Sequence, residues 1–405
     1  MSLTAGEEQV LVRRAAILLA YDEGIGTEQI AQTLNISARL ARYWRHAFEE
    51  SGMSIFLETE KHADETSPGA SVKKRTPAAR ITPSDHTAPP KKMGILPGDT
   101  MQSAGRKVLR YQLAHMLSNE KGTRQGEDIE ALHDMRVASR RLRVALEIFE
   151  PYFPQKKIRS FRKGMRDLGR ALGRVRDLDV FIEKTQAYVQ SLRQDEPHAL
   201  RPLLDAFVEL RLQALTSLIH VLDEPETRQF LVEFENYLNQ TDGESGFTDV
   251  QPQPVKVSHL APIFIYQRLA AVRAFEDILE HASLEQLHSL RSAFKYLRYT
   301  IEFFREALGE DVKNVLNDLR AVQDHLGNLN DAHTACGMLN DFLAEWEAQQ
   351  NGLPILGRQN PQGILTCLSL RSQERHRLLT EFPQVWQNFN RPAFRATLAG
   401  MLGSL

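Results

Sequence analysis

The sequence predicts an all-α protein whose larger part is an internal repeat. From about residue 99 onward, apolar residues recur at intervals of three and four, the spacing of a helix with one buried face. One such stripe consists of Leu142, Ala145, Leu146 and Phe149. We find no sustained alternation of apolar and polar residues, the pattern of a half-buried strand. Two stretches of similar sequence, 155 residues apart, indicate that one helical unit occurs twice.

The composition is that of an ordinary globular protein. The 405 residues suffice for about two or three domains, and the 50 Lys and Arg residues nearly balance the 52 Asp and Glu residues. Global charge therefore predicts neither nucleic-acid nor membrane binding, and an anion site has to arise from local segregation of charge. Cys336 and Cys367 are far apart in the sequence and lack metal-ligand spacing, so we expect neither a disulfide framework nor a metal site.

The N-terminus and the apolar runs favour a cytoplasmic, soluble protein. The opening segment, MSLTAGEEQV, carries acidic rather than basic side chains, and no apolar signal-peptide core follows it. No apolar run approaches the roughly 20 residues that span a bilayer. We therefore expect no membrane partner.

Residues 1–57 predict a small helix-turn-helix domain. A first helix ends near Asp22, Thr27 caps a short second helix, and Ser37 caps a third. The third helix has a basic face that carries Arg39, Arg42 and Arg45. The segments EQIAQTLNIS, YWRHAF and SGMSIF make the domain similar to the homeodomain-like helix-turn-helix of transposases and resolvases.

That resemblance implies duplex DNA as a partner. A recognition helix contacts the major groove with its N-terminal half, so Arg39 and Arg42 are the expected contacts, and Arg45 lies on the same face. The alternative is a helical protein-interaction module that keeps the fold without binding DNA, because fold alone does not settle function.

Residues 58–98 are predicted to be a flexible linker. The segment is rich in Pro, Ser, Thr and Lys and nearly free of aromatic residues. It holds too few apolar side chains to form a core, so we expect it to separate two folded units.

Residues 99–405 are predicted to hold two repeats, about 99–250 and 251–405. Two pairs of segments align: LHDMRVASRRLRVALEIF (132–149) with LHSLRSAFKYLRYTIEFF (287–304), and LGRVRDLD (172–179) with LGNLNDAH (326–333). The offsets of 155 and 154 residues agree. We therefore expect two similar helical bundles that face each other about a pseudo-two-fold axis.

Each repeat places a row of cations on one side of a helix. At 100° per residue, the four basic side chains of each copy fall within about 80° of arc. The rows are His133, Arg136, Arg140 and Arg143, and His288, Arg291, Lys295 and Arg298. No acid lies on the first arc, although solvated helix faces interleave acids with bases. We interpret the rows as anion-binding surfaces, the alternative being a solvated face; Arg141 lies about 100° from Arg140 and need not contact a ligand.

Other helices of the repeats add cations. The helix after the first row carries five within roughly 100° of arc, and its counterpart in the second repeat keeps two. With the helix that opens the first repeat, these residues are Arg159, Arg162, Lys163, Arg166 and Arg170, then Lys313 and Arg320, then Arg106, Lys107 and Arg110.

Phosphate is the anion that these side chains suit. Arginine outnumbers lysine, and a guanidinium gives planar, bidentate hydrogen bonds to phosphate oxygens. Few aromatic residues interleave with the cations, so no base-stacking platform for single-stranded nucleic acid is predicted. His133 and His288 either cap or pack at the start of their helices, or each donates a hydrogen bond to phosphate.

The segments that carry the rows, together with LGRVRDLD and LGNLNDAH, resemble the CHAD family, the conserved histidine α-helical domain, over about residues 100–400. The resemblance implies two four-helix bundles and a central cleft whose basic side chains bind inorganic polyphosphate. By position, the family's basic residues fall on His133, Arg136, Arg140, Arg143, Arg162, Arg166, His288, Arg291, Lys295 and Arg298. The second copy departs from the pattern because LGNLNDAH lacks the arginine found at Arg176. Alternatively, Arg176 belongs to an ion-pair network with Asp177 and Asp179.

No feature predicts an enzyme, a metal or a cofactor. Many proteins that resemble this family carry a triphosphate-tunnel domain marked by an ExExK strand, whereas ETEK at 58–61 has a different spacing. The sequence offers no nucleophile–base pair and no Gly-rich phosphate loop. We expect a non-catalytic polyphosphate-binding protein of the cytoplasm, with polyphosphate granules as its candidate location. The alternative is a DNA-binding regulator whose helical region senses polyphosphate or another polyanion.

Overall fold

The computed structural model describes residues 15–21, 25–33, 45, 89–191, 200–240, 256–354 and 358–405. These residues divide between two compact units, 1–82 and 83–405. Within the described ranges the regular structure is helical apart from an isolated bridge between Thr100 and Lys256, which confirms the predicted all-α class. None of the described helices is both long and apolar enough to cross a membrane.

The N-terminal unit shows the beginning of the predicted helix-turn-helix. Residues 15–21 are helical and precede α1 (Thr27–Thr33). Ile17 and Ile30 are fully buried in a small shared core. Thr27 is the first residue of α1, and its hydroxyl accepts a hydrogen bond of 3.0 Å from Tyr21. The predicted DNA contacts Arg39 and Arg42 lie outside the described residues.

The last part of the predicted linker packs on the helical unit. The backbone N–H groups of Met93, Gly94 and Ile95 donate to the Glu306 carboxylate over 2.9, 2.6 and 3.2 Å. Ile95 is fully buried, and Gly94 takes the left-handed conformation at φ 73° that lets the chain turn around the carboxylate. The helical unit therefore begins before residue 99; residues 58–88 lie outside the described part of the chain.

The first repeat forms a four-helix bundle with two additional helices. Its helices are α2 (Met101–Ser118), α3 (Glu120–Gln125), α4 (Ile129–Ile148), α5 (Gln155–Ser191), α6 (Arg201–Asp223) and α7 (Pro225–Asn239). The bundle consists of α2, α4, α5 and α6, which pack in this order, while the additional helices are α3 and α7, and α7 contacts α2, α5 and α6. Thr100 and Asp128 cap the N-termini of α2 and α4 through their side-chain oxygens.

The second repeat has the same helix order. Its helices are α8 (Val257–Arg273), α9 (Leu284–Phe304), α10 (Val312–Asn351), α11 (Gln362–Phe389) and α12 (Pro392–Gly403). Helices α8 to α11 pack in succession as α2, α4, α5 and α6 do, and α12 packs on α10. A capping box of Ser283 and Gln286 begins α9. The predicted pair of bundles is thus present.

The two repeats meet as a pseudo-symmetric pair. Equivalent helices contact each other: α2 with α8, α4 with α9, and α5 with α10. The equivalent rings of Phe149 and Phe304 lie with their centroids 6.0 Å apart. The Arg141–Glu302 ion pair of 2.8 Å has its counterpart at equivalent positions in the hydrogen bond from Tyr296 to Glu147. Reciprocal contacts of this kind define a two-fold interface.

The repeats also join at a second place. One large core runs through both bundles, and a smaller core unites the far ends of α5 and α6 with those of α10 and α11. In the smaller core the tilted rings of Phe181 and Phe207 pack with centroids 4.1 Å apart, and the Phe207 ring lies 6.1 Å from that of Phe342 of the second repeat. The cationic rows lie on α4 and α9, and α5 and α10 extend past them to this second contact.

A chain that begins at residue 99 is expected to be less stable than one that begins at residue 89. It loses the buried Ile95 side chain and three N–H donors to Glu306, so we expect its free energy of unfolding to fall by about 2–4 kcal/mol. Urea denaturation of both chains measures the difference.

The substitution Glu306→Ala provides the control. It should destabilise the longer chain clearly more than the shorter one, because only the longer chain contains the three donors. Equal losses in both chains would show that Glu306 does not act through residues 93–95.

Candidate anion-binding site

The cationic rows of α4 and α9 converge on one cluster. The charge of Arg291 on the same helix and the charges of Arg136 and Arg140 on α4 all act on the ammonium group of Lys295. The charges of Arg136 and Arg140 also act on the guanidinium group of Arg291. We call Arg136, Arg140, Arg291 and Lys295 the central cluster. The two predicted rows therefore meet across the pseudo-two-fold interface.

Glycines on α5 and α10 make room for two of these arginines. A Cβ on Gly173 would lie 3.8 Å from Nη2 of Arg136, and a Cβ on Gly327 would lie 4.0 Å from Nε of Arg291. Gly173 and Gly327 are equivalent in the two repeats, so each long helix offers a flat surface to the guanidinium of the neighbouring row. A side chain longer than a methyl group at either position would reach into the space that the guanidinium occupies.

Two equivalent carboxylates balance part of the charge. Asp177 on α5 forms a 3.1 Å ion pair with Arg136. Its counterpart Asp331 on α10 lies 3.3 Å from Nζ of Lys184 and favours the charged form of Arg291. Among the described residues, the central cluster with Lys184 thus has five basic side chains against two acids, and four of the five are charged at neutral pH.

The histidines at the two ends of the rows have different partners. His288 is exposed, and its Nδ1 lies 2.7 Å from Oδ1 of Asn330, to which an Nδ1–H donates. Asn330 stands at the position equivalent to Arg176 in the first repeat. There, burial first and the Arg176 charge second lower the pKa of His133. His133 is therefore uncharged at neutral pH and can donate one hydrogen bond.

Several guanidinium nitrogens near the rows are buried without a hydrogen-bond partner among the described residues. They are Nε of Arg140, Nε of Arg291, Nε of Arg298 and Nη1 of Arg176. A buried, unsatisfied donor of a charged group costs more than about 1–3 kcal/mol, and buried polar groups are paired in most proteins. An anion that enters between the rows would supply acceptors to these donors.

Burial and neighbouring cations both act on Lys295. Burial, followed by the charges of Arg291, Arg140 and Arg136, lowers the pKa of its ammonium group to about 6. Burial also lowers the pKa of Arg136 and Arg291 from the usual guanidinium range. Lysine is the one member of the central cluster that can lose its proton at neutral pH.

Arg176 does not form the ion-pair network that we considered as an alternative. Asp177 pairs with Arg136, and Asp179 pairs with Arg211. Arg176 forms no ion pair with any described residue, and one of its nitrogens is buried without a partner. It lies on α5, close enough to His133 to lower the pKa of that ring, so it adds a charge beside the first row.

Arg106 and Arg110 are placed away from the central cluster. Arg106 is buried inside the first bundle, where its guanidinium donates to the carbonyl of Tyr237 over 3.0 Å and faces the ring of Phe153. Arg110 donates from Nε to the carbonyl of Leu238 over 2.6 Å. Both tie α2 to the end of α7. A helical wheel shows which residues share a face, and it does not show which neighbour covers that face.

The predicted cations of α5 and α10 lie outside the central cluster as well. Lys163, Arg166 and Arg170 are exposed, and Arg162 pairs with Glu150 over 2.7 Å. We call Arg162, Lys163, Arg166 and Arg170 the outer row. The two predicted cations of α10, Lys313 and Arg320, are also exposed.

The distal members of the two rows differ. Arg143 is exposed beside Gly169, whose added Cβ would lie 3.6 Å from Nη1 of the arginine. Arg298 instead forms a 3.2 Å ion pair with Glu302 and lies over the ring of Tyr299. Arg143 is therefore accessible to a ligand, and Arg298 is engaged in the interface.

Sequence reasoning missed Lys184 and Asp331. Asp331 had a usable signal, because Asp177 and Asp331 occupy the same place in the aligned LGRVRDLD and LGNLNDAH segments. Lys184 had none, because its counterpart in the second repeat is an uncharged methionine, Met338. Its approach to Asp331 depends on how α5 crosses α10.

The comparisons with known proteins agree with this architecture. A family model of the CHAD domain matches residues 107–340, more than half of the chain, and a model of a homeodomain-like domain matches residues 9–54. Both resemblances predicted from the sequence are confirmed.

Two solved structures are similar in fold. One is the crystal structure of the CHAD domain from the plant Ricinus communis, with a TM-score of 0.53 and 21% identity over 75% of this chain and 93% of that one. The other is PptA from Streptomyces chartreusis, with a TM-score of 0.50 and 15% identity over 71% of this chain and 100% of that one. At these identities the likeness concerns the fold. No match was found among curated proteins.

The low pKa of Lys295 predicts a pH-dependent gain in stability for Lys295→Met. Between pH 6 and the ordinary lysine value near 10.4, the unfolded chain binds one proton more than the folded chain, so the wild type becomes more stable as the pH rises. The advantage of the Met variant should therefore grow by at least about 2 kcal/mol from pH 9.5 to pH 6. Urea denaturation at several pH values measures it.

Lys156→Met is the matched control, because Lys156 is exposed at the start of α5. Its difference from the wild type should stay flat over the same range. An equally flat difference for Lys295→Met would contradict the low pKa.

Proposed function

Because this chain belongs to the CHAD domain family, we propose that the central cluster binds inorganic polyphosphate and that the protein acts by binding rather than by catalysis. The observation that carries the proposal is the meeting of cationic rows from both repeats, with buried guanidinium N–H groups left unpaired. A linear polyanion offers each of these donors an oxygen acceptor and neutralises the mutual repulsion of the cations.

The neighbouring aromatic residues favour phosphate over a nucleic acid. Tyr296 and Tyr299, which lie next to the central cluster, face arginines: Arg268 lies 4.9 Å from the Tyr296 ring centre, and Arg141 lies 5.5 Å from that of Tyr299. Tyr299 is also buried. Neither ring is available to stack on a base, and single-strand-binding sites depend on such stacking. A chain of phosphates without bases suits the cluster better.

The outer row suggests a path for the longer part of the ligand. Helical geometry places Arg162 and Arg166 on the side of α5 that also bears Gly169 and Gly173, so they continue the line from Arg136 past Arg143. The second repeat offers fewer cations for such a path, because Arg298 is paired with Glu302 there. We therefore propose that long polyphosphate chains leave the central cluster along the first repeat.

Replacing Arg140 and Arg291 by Gln is expected to weaken polyphosphate binding by at least about 30-fold, because each loses a charged partner for phosphate. The slope of log affinity against log salt should fall by about 1.4, since roughly 0.7 of a counterion is released per neutralised phosphate. Titration calorimetry of the full chain at several salt concentrations measures both quantities.

Arg228→Ala is the control, because Arg228 is exposed and pairs with Asp223. It should leave affinity and salt slope unchanged. The double substitution Arg162→Gln and Arg166→Gln should weaken the binding of long polyphosphate chains and leave the binding of short chains unchanged. Unchanged affinity in the folded Arg140/Arg291 double variant would remove the central cluster from the site.

A second function, binding of duplex DNA, is supported by the homeodomain-like match at residues 9–54. Arg39 and Arg42 are the proposed contacts. Arg45 is exposed in a helical position, and its guanidinium lies 5.2 Å from the Tyr21 ring centre, so it contributes to packing within the unit. We therefore rank Arg45 below Arg39 and Arg42 as a proposed DNA contact.

Substituting Arg39 and Arg42 by Ala is expected to abolish a mobility shift of duplex DNA that the wild-type chain produces at low salt, because phosphate and base contacts are lost together. Lys157→Ala, on the exposed start of α5, is the control and should keep the shift. The absence of any shift with the wild type would favour the interaction-module alternative. Repeating the assay with polyphosphate tests whether the two units influence each other.

A further inference from the structure

Two equivalent acids beside the cationic rows have different partners. Asp177 on α5 and Asp331 on α10 occupy the same place in the aligned segments of the two repeats. Asp177 forms its 3.1 Å ion pair with Arg136, an arginine of its own repeat. Asp331 instead forms a 3.3 Å ion pair with Lys184, which belongs to the other repeat. The pseudo-symmetry of the two repeats is therefore broken at these acids.

The difference follows from a lysine that only one repeat contains. Lys184 lies on α5, and its counterpart on α10 is Met338. The ammonium group of the lysine attracts the Asp331 carboxylate, whereas a methionine side chain offers a carboxylate no charge. Asp177 has no lysine at the corresponding place, and its partner is the arginine of its own row.

The position of Lys184 is fixed by a contact between the repeats. Nη2 of Arg371 on α11 donates to the backbone carbonyl oxygen of Lys184 over 3.0 Å, and Nη1 of the same guanidinium pairs with Glu374 over 2.7 Å. Phe181, one turn before the lysine on α5, is buried in the smaller core that joins the repeats. The backbone that carries Lys184 is thus held against the second repeat, close to Asp331.

The two arginines that face these acids differ in consequence. Arg136 already has a carboxylate partner, so an anion that binds it has to displace Asp177. Arg291 forms no ion pair with any described residue, and its Nε is buried without a hydrogen-bond partner there. Both arginines are partly exposed. Arg291 is therefore the one whose donors are open to an anion.

We propose that Lys184 is a positioning residue of the anion site, which draws Asp331 to itself and thereby prevents this acid from pairing with Arg291. Without the lysine, Asp331 would turn to Arg291 and compete with a phosphate group for the same donors. Asp177 shows that arrangement at Arg136. Lys184 acts through the carboxylate and needs no contact with the ligand. The inference rests on the proposed function, because it takes the central cluster as the polyphosphate site.

A double-mutant cycle in the full-length protein tests the role of Lys184. Titration calorimetry with long polyphosphate compares Lys184→Met, which introduces the residue of the equivalent position, in the wild type and in the Asp331→Asn variant. Alone, Lys184→Met should weaken binding by about three- to fivefold, the size of an ion pair at a partly exposed site. In the Asp331→Asn background it should change the affinity by less than about twofold, because the competing acid is absent.

Two results of the cycle overturn the proposal. A lysine that contacts phosphate directly would cause the same loss in both backgrounds, and a lysine without a role would cause none in either. Lys156→Met is the matched control, because it removes the same charge at an exposed position at the start of α5. It should change the affinity by less than about twofold in both backgrounds.

The two equivalent acids should also differ when each is neutralised. Asp177→Asn releases Arg136 from a direct partner and should strengthen polyphosphate binding by about three- to fivefold. Asp331→Asn should strengthen it less, because Lys184 already keeps that carboxylate from Arg291. Equal gains from the two substitutions would contradict the proposed asymmetry.

A measurement without polyphosphate separates this proposal from the proposed function. Phenylglyoxal, which modifies free guanidinium groups, should react faster with Arg291 than with Arg136 in the wild type, as followed by peptide mass spectrometry. Lys184→Met should slow the reaction of Arg291 by at least about twofold and leave that of Arg136 unchanged. If polyphosphate does not bind but Arg291 is slowed, the binding function fails and the positioning role stands. If polyphosphate binds and the rate at Arg291 is unaffected, the binding function stands and the positioning role is refuted.

Discussion

Two helices that carry like charges, α4 and α9, are held against each other by an apolar contact and two reciprocal carboxylates. Phe149 and Phe304 meet on the pseudo-two-fold axis, and beside them Glu302 and Glu147 accept hydrogen bonds from Arg141 and Tyr296. Without this attachment the rows would repel each other and separate. The cationic cluster exists because stable packing at one end of the helices enforces an unfavourable approach of charges further along.

The protein's own acidic side chains relieve this repulsion between cations only partly. Asp177 pairs with one arginine and Asp331 faces another, but several guanidinium nitrogens stay buried without acceptors among the described residues. A protein under selection for stability alone would place more acids there or fewer cations. Local departures of this kind from satisfied pairing are typical of functional sites, where a ligand completes the interactions.

The sequence was informative where a property repeats and uninformative where it depends on how helices cross. The 155-residue repeat predicted that equivalent helices would face each other, and the arc of His133, Arg136 and Arg140 predicted which side of α4 was cationic. It also separated Arg141, whose ion pair with Glu302 belongs to the interface. In contrast, the wheel could not show that Arg106 is enclosed by its own bundle, because burial is set by α7, which arrives more than a hundred residues later. The packing of residues 93–95 could not be predicted for the same reason, because it depends on hydrogen bonds to one carboxylate, Glu306, that is distant in the sequence.

The two repeats share a fold but differ at equivalent positions near the cationic rows. These differences all reduce what the second repeat offers to an anion. Where the first repeat has Arg140, Arg176 and Gly169, the second has Lys295, Asn330 and Gln323. Each change reduces permanent charge or, at Gln323, fills the space beside the row. Arg298 is also drawn into the interface by Glu302, while its equivalent Arg143 is exposed. At these aligned positions the first repeat therefore supplies the permanent cations. The second repeat places a lysine, Lys295, where the first has Arg140. Burial and the neighbouring arginines lower the pKa of this lysine to about 6, so its charge can change near neutral pH.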